Sequence, residues 1–298
     1  MRYFLVASLA LWLCVVSSAL LAQSSPLYWS AENPKTGSKV HILGSIHFGL
    51  SEFYPLKDSI LKDFERSSAL AVEVDLTALD GQQTAQMMMK HGRYPMGSTL
   101  NDHIPRSLQK TLDTVCQALG VNAASFESFR PWLVAIQLVS LQMTQAGFSD
   151  ALGVDRFFLA EAKTHRKPII ELESLAMQLE IFSNLTPEEE VFFLEQTLSE
   201  YELGAGYIDA LAKAWRKGQQ EILSEMILGA FESKEADAMY QSVFVRRNQR
   251  MANKVVKILL AEQKTVFMVV GVGHLLGDDS IITMLQNKGV SIKLIKEN

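Results

Sequence analysis

The sequence predicts an α/β protein in which a mixed central sheet is flanked by helices and a large helical insert covers the site. Three observations carry this. Short apolar runs rich in Val, Ile and Leu recur at 39–43, 70–74, 168–172, 265–270 and 291–295, each the length of a buried strand. Long segments of mostly helical pattern separate most of them, which indicates crossovers rather than hairpins. Two of the runs also end alike, in Gly44-Ser45-Ile46-His47 and Gly271-Val272-Gly273-His274. That puts two imidazoles at the carboxyl ends of strands, where open α/β sheets hold ligands. One such motif carries little, but two, each behind a buried-strand pattern, point to a joint site.

Residues 1–22 hold Arg2, then an almost uncharged apolar stretch from Phe4 to Ala22, with small residues at Ser17, Ser18, Ala19 and Ala22. This is the pattern of a signal peptide cut near Ala19 or Ala22, and it predicts an exported protein, periplasmic or extracellular, with no stable membrane anchor after cleavage. An uncleaved anchor is the alternative, since the stretch approaches bilayer-spanning length. Residues 23–298 then form one domain, long enough for a sizeable core.

The first Gly-x-x-His leads into a helix over 57–66, with Ile60, Leu61 and Phe64 on one face. The strand 70–74 follows and brings Glu73 and Asp75, two residues apart and so on one side. A carboxylate between Val72 and Val74 is costly to bury unless it is paired, hydrogen-bonded or metal-bound; a salt bridge or strand-end cap is the structural alternative. The segment 79–166 reads as the helical insert. Its Met87, Met88 and Met89 suit gap-filling core or a pliable groove, and Pro105, Asn122 and Pro131 open successive helices. His91 and His103 lie in a loop without metal-ligand spacing. Asp155 begins another helix, which it would cap, unless it holds the second nitrogen of a histidine. Glu173 ends the strand 168–172 at a helix start, where the helix dipole favours an acid in any case. Thr186-Pro187-Glu188-Glu189 opens the next helix. A long helix over 237–260 carries Arg246, Arg247 and Arg250, a pattern of solvated or ion-paired arginines. The helix 281–287 and the strand 291–295 close the chain.

With 28 basic and 33 acidic residues, a net charge of −5, neither nucleic acid nor an anionic membrane is the natural partner. A peptide or small molecule is the expected substrate. The cysteines are Cys14 and Cys116, so the exported chain holds no internal disulfide and any metal would rest on nitrogen and oxygen.

Taken together, Leu43 to His47, Glu73-Val74-Asp75, Gly153 to Asp155, Leu172-Glu173 with Gln178, Trp215 to Gly218, Arg247-Asn248 with Met251-Ala252, and Val270 to Gly277 resemble the TraB/GumN family. Its relatives include the Tiki proteases and the ChaN-like and erythromycin-esterase-like proteins. The resemblance spans nearly all of 23–298. It implies a divalent metal at His47, Glu73 and His274, with Mn or Co favoured and Zn or Fe open, since two imidazoles and a carboxylate suit all four. The implied function is a metal-dependent hydrolase, a metallopeptidase above all. Glu173 or Asp75 would then serve as general base and acid, and Arg247 would stabilise the oxyanion. A non-catalytic protein that sequesters a peptide or small ligand is the alternative, and hydrolysis by a histidine base without metal is a third. The oligomeric state is not legible in the sequence.

Overall fold

The computed structural model describes residues 23–233 and 236–295. The signal-like segment 1–22 lies outside them. Six strands, β1 (Tyr28–Asn33), β2 (Ser38–Ser45), β3 (Ala69–Val72), β4 (Ile169–Glu171), β5 (Thr265–Gly271) and β6 (Ser291–Leu294), form one sheet in the order β4-β3-β5-β2-β1-β6. The neighbours from β4 to β2 are parallel, whereas β1 runs antiparallel to both β2 and β6. The mixed sheet is the one expected. Strand β1 is an addition: its Tyr28, Trp29 and Ala31 are buried, but the run is too short and too polar at Glu32-Asn33 to stand out as a strand. The register pairs Ser45 with Gly271, so both Gly-x-x-His segments leave adjacent parallel strands at the same level.

The helices are α1 (Asp58–Arg66), α2 (Gly81–Gly92), α3 (Arg106–Ala118), α4 (Pro131–Gln145), α5 (Val154–Thr164), α6 (Leu175–Ser183), α7 (Pro187–Glu202), α8 (Ala205–Arg216), α9 (Gln220–Leu228), α10 (Asp237–Tyr240), α11 (Arg246–Leu260) and α12 (Ile281–Asn287). Phe267 of β5 packs between Phe64 of α1 and Phe158 of α5, with ring centres 5.5 and 4.8 Å away. Helix α11 lies along β1 and β2 and packs on α12. Their Met251, Val255, Ile281 and Leu285 complete the core around the sheet.

A second core joins Leu112 of α3, Trp132 and Leu138 of α4, Leu179 of α6 and Leu194 and Leu198 of α7. The segment 79–166 therefore divides: α3 and α4 build this second core together with α6 and α7, while α5 packs on the sheet through Phe158 and Leu159. Local chemistry sets the helix starts. Pro131 is the first residue of α4, where it removes one free N–H, and Thr186 caps α7 in a reciprocal box with Glu189 that satisfies two more. Between α10 and α11 the chain makes a π turn, Gln241–Val245. Among the described residues, no helix is long and apolar enough to cross a membrane.

Candidate active site

Beyond the formal ends of β3 and β4 the two chains stay paired, because Leu172 N–H donates to Val72 O and Glu173 N–H donates to Glu73 O, both at 2.8 Å. Two acidic side chains are thereby carried side by side into the interior, 7% and 3% exposed. Arg247 of α11 makes that tolerable: its Nη2 lies 2.6 Å from Glu73 Oε2 and 2.6 Å from Glu173 Oε2, and its Nε donates to Glu173 Oε2 at 2.8 Å. Arg250 approaches Glu173 Oε1 at 3.4 Å, and Gln178 Nε2 donates to Glu73 Oε2 at 3.0 Å. Buried carboxylates persist only when paired and hydrogen-bonded in this way.

The other oxygen of Glu73 faces the histidines. Its Oε1 accepts the Gly271 N–H at 2.8 Å and lies 3.8 Å from His274 Nε2. The His274 ring is oriented from behind, with Nδ1 2.6 Å from Asn248 Oδ1, while Asn248 Nδ2 donates to Asp279 O at 2.8 Å. That second bond turns the amide oxygen toward the ring, so Nδ1 carries the proton and Nε2 keeps its lone pair for the site. His47 repeats the arrangement with an acid: Nδ1 is 2.9 Å from Asp155 Oδ2, and Asp155 Oδ1 accepts from Ser45 Oγ at 2.8 Å.

Close backbone contact brings Asp155 to His47. Gly49 and Ser149 exchange N–H···O bonds of 2.9 Å in both directions, and a Cβ on Gly153 would fall 2.2 Å from His47 O. The loop after β2 thus crosses the entry to α5 at a separation that only glycine permits. Gly271 lies at the centre of the site. A Cβ there would lie 3.3 Å from Glu73 Oε1, 3.5 Å from His47 Nε2 and 3.7 Å from His274 Cδ2, so the three sequence-predicted ligands surround one point.

The charge states follow from these neighbours. Burial pushes His274 down to about 4, against the pull of Glu73, so this ring is neutral at neutral pH. His47 is pushed up to about 9, chiefly by Asp155; with 61% of its side chain exposed, the adjacent carboxylate outweighs desolvation. Burial works against ionisation of Glu73, but facing charges and the Gly271 N–H win and hold it down to about 2. Near pH 2 His274 is itself protonated, and its charge, with those of Arg247 and His47, does so.

A cavity of about 300 Å³ opens over the site, with His47, Glu73, Asp155, Gln178 and Arg247 in its lining. Glu173 and Asp75 are placed differently. The Glu173 side chain has no exposed surface, and Asp75 Oδ1 accepts from the backbone N–H of Thr77 at 2.9 Å and from its hydroxyl at 2.5 Å. Asn248 stands out in the sequence only within the Arg247-Asn248 stretch that carries the family resemblance, with no role of its own. His103 is engaged elsewhere, with Nε2 2.7 Å from Ser98 Oγ and its ring stacked on Tyr94.

Among the described residues, no three His, Cys, Asp or Glu side chains are drawn close enough to hold a metal ion as they stand. The donor chemistry nevertheless suits a divalent cation. His274 Nε2 lies 3.8 Å from Glu73 Oε1, His47 Nε2 borders the same point at Gly271, and both Nδ1 atoms are held by outer partners, the usual support of metal-binding histidines.

Uncharacterized protein YbaP of Escherichia coli K12 is 25% identical over 247 residues, 83% of this chain and 87% of its own. Metalloprotease TIKI2 of Xenopus tropicalis is 24% identical over 307 residues, 85% of this chain and 57% of its own. The Metalloprotease TIKI homolog of Nematostella vectensis is 23% identical over 309 residues, 86% and 64% of the two chains. This chain thus spans less than two thirds of either Tiki protein. No solved structure matches it. The model of the TraB/PrgY/gumN family matches residues 27–294, and with that match running from β1 through β6, the chain belongs to the TraB/PrgY/gumN family.

Proposed function

We propose that this protein is an exported, metal-dependent hydrolase of peptides, with His47, Glu73 and His274 as the donor set. One observation carries the reading. These residues leave the carboxyl ends of three adjacent parallel strands, β2, β3 and β5, and meet at Gly271 beneath an open cavity. Similarity to proteins named metalloproteases supports the same reaction class. A divalent cation at such a donor set polarises a scissile carbonyl and makes water a stronger acid; Mn or Co is the expected ion, with Zn and Fe also suited.

The chain's own residues do the rest. Asp155 and Asn248 fix the two rings with Nε2 forward. Arg247 lines the cavity, where its guanidinium can face a developing oxyanion. Glu173 holds Arg247 and Gln178 in place and so acts as a positioning residue. A role for it as base would require the Arg247 pair to open, because its Oε2 already accepts two charge-assisted bonds. Asp75 would have to turn away from Thr77 to take part. A second reading makes the His47–Asp155 pair a general base without metal, favoured by its 2.9 Å bond and exposed ring.

Incubating the secreted protein with a mixed peptide library, with and without chelator, and reading the products by mass spectrometry separates the readings. Cut products that vanish with chelator are expected. Chelator-insensitive cutting would favour the histidine base, and peptide retained uncut would favour a sequestering binder. N-terminal sequencing of the same material tests export, which predicts a start near residue 20 or 23.

A further inference from the structure

The cavity over the site has a mixed lining. Beside the polar groups, Phe48, Val74, Leu76, Ile181 and Phe182, from the loops after β2 and β3 and from α6, make up its apolar wall. Phe182 is wedged between the rings of Trp132 and Phe193, each 5.7 Å away, so this wall is already formed, as ligand-binding walls usually are. The charges around the cavity are meanwhile spoken for. Arg156 pairs with Asp150 at 3.0 Å, His47 with Asp155 at 2.9 Å, and Arg247 with Glu73 at 2.6 Å.

We infer that this wall is a specificity pocket for an apolar side chain, aliphatic or aromatic, of a peptide whose amide groups lie along the polar groups. The inference rests on the hydrolase reading for the bond that is cut, though not for the binding itself. An apolar side chain seated against Leu76 and Ile181 leaves water and covers surface that is partly exposed without it. A charged side chain there would be desolvated with no free counter-charge on that wall. A second cleft of about 470 Å³, bordered by Met177, Arg246 and Arg250, shares Ile181 with the first and leaves room for flanking residues of the peptide.

The test is a saturation-transfer NMR titration of the purified full-length protein with N-acetyl-leucinamide, N-acetyl-phenylalaninamide, N-acetyl-serinamide and N-acetyl-lysinamide. The leucine and phenylalanine compounds are expected to bind at least about tenfold tighter than the other two, the discrimination typical of an apolar pocket. Ile181→Asp should erase that preference and Ile181→Leu should keep it. The wild-type series decides the matter even if a variant fails to fold. Equal or absent binding across the four compounds overturns the inference, as does an intact preference in folded Ile181→Asp. Cutting is scored separately: apolar preference without cut peptides sinks the hydrolase reading and leaves the pocket standing, while cutting without preference does the reverse.

Discussion

Asn248 Oδ1 lies 2.6 Å from His274 Nδ1, a contact between α11 and the segment after β5 that decides which ring nitrogen faces the site. Removing such an outer partner typically weakens metal binding 10–100-fold. Asn248→Ala is therefore expected to lower the affinity for Mn or Co by roughly that factor while the circular dichroism spectrum stays that of the wild type. Isothermal titration with each metal measures it. Unchanged affinity would show that His274 needs no help from Asn248.

Among the described residues, Arg247 is the one positive group that bridges Glu73 and Glu173, both buried. Arg247→Met leaves two carboxylates facing each other with Gln178 and the distant end of Arg250. Breaking a buried pair from one side costs about 3–5 kcal/mol, and urea denaturation should register a loss of that order. Glu173→Gln, which removes one of the two negative charges and keeps a hydrogen-bonding oxygen, is expected to be milder in stability and to keep the metal while turnover falls.

The sign of the pH dependence differs between the two histidines. His47 is raised in the fold to about 9, so its contribution to metal-free stability is complete below its unfolded value of about 6.5 and is lost as pH rises toward 9. His274 is lowered to about 4, so its contribution is complete above about 6.5 and is lost as pH falls toward 4. Glu73, held near 2, adds a further loss below its ordinary range. Metal-free stability should thus decline on both sides of neutrality. Since the cation needs the neutral ring, its binding at pH 7.5 should release about one proton, measurable by calorimetry in buffers of different ionisation heat. Asp155→Asn is expected to abolish that release.

Gly153 marks where the His47 loop and the start of α5 touch, with no room for a Cβ that would lie 2.2 Å from His47 O. Gly153→Ala should push the loop away, separate His47 from Asp155, and lower both melting temperature and metal affinity. Gly147, where a Cβ meets nothing within 4 Å, is a control for the crowding but not for its φ of 85°, so its alanine variant should lose some stability and keep the metal.

How much of this was legible in the chain differs from element to element. His47, Glu73 and His274 stood out because each follows a short apolar run of buried-strand length, and the glycines beside the histidines mark sharp exits from the sheet. The order β3-β5-β2 that makes them neighbours is fixed by crossovers through three-dimensional space, which periodicity does not encode. Arg247 entered the expected site only through the family resemblance. It sits among arginines that read alike as solvated or ion-paired, yet the Arg250 side chain is 42% exposed and that of Arg247 only 10%, a distinction set by the two acids that await it 74 and 174 residues upstream. The helical cover was legible as helices but not as a body, because α6 and α7, which complete its core with α3 and α4, lie beyond β4 in sequence.

The measurement that bears most directly on the shared site is the metal content of the purified protein, wild type against His47→Ala and His274→Ala, by plasma mass spectrometry with folding checked by circular dichroism. The account expects close to one divalent ion per wild-type chain and a loss of it in each folded variant. Both variants retaining metal at the wild-type stoichiometry would contradict it.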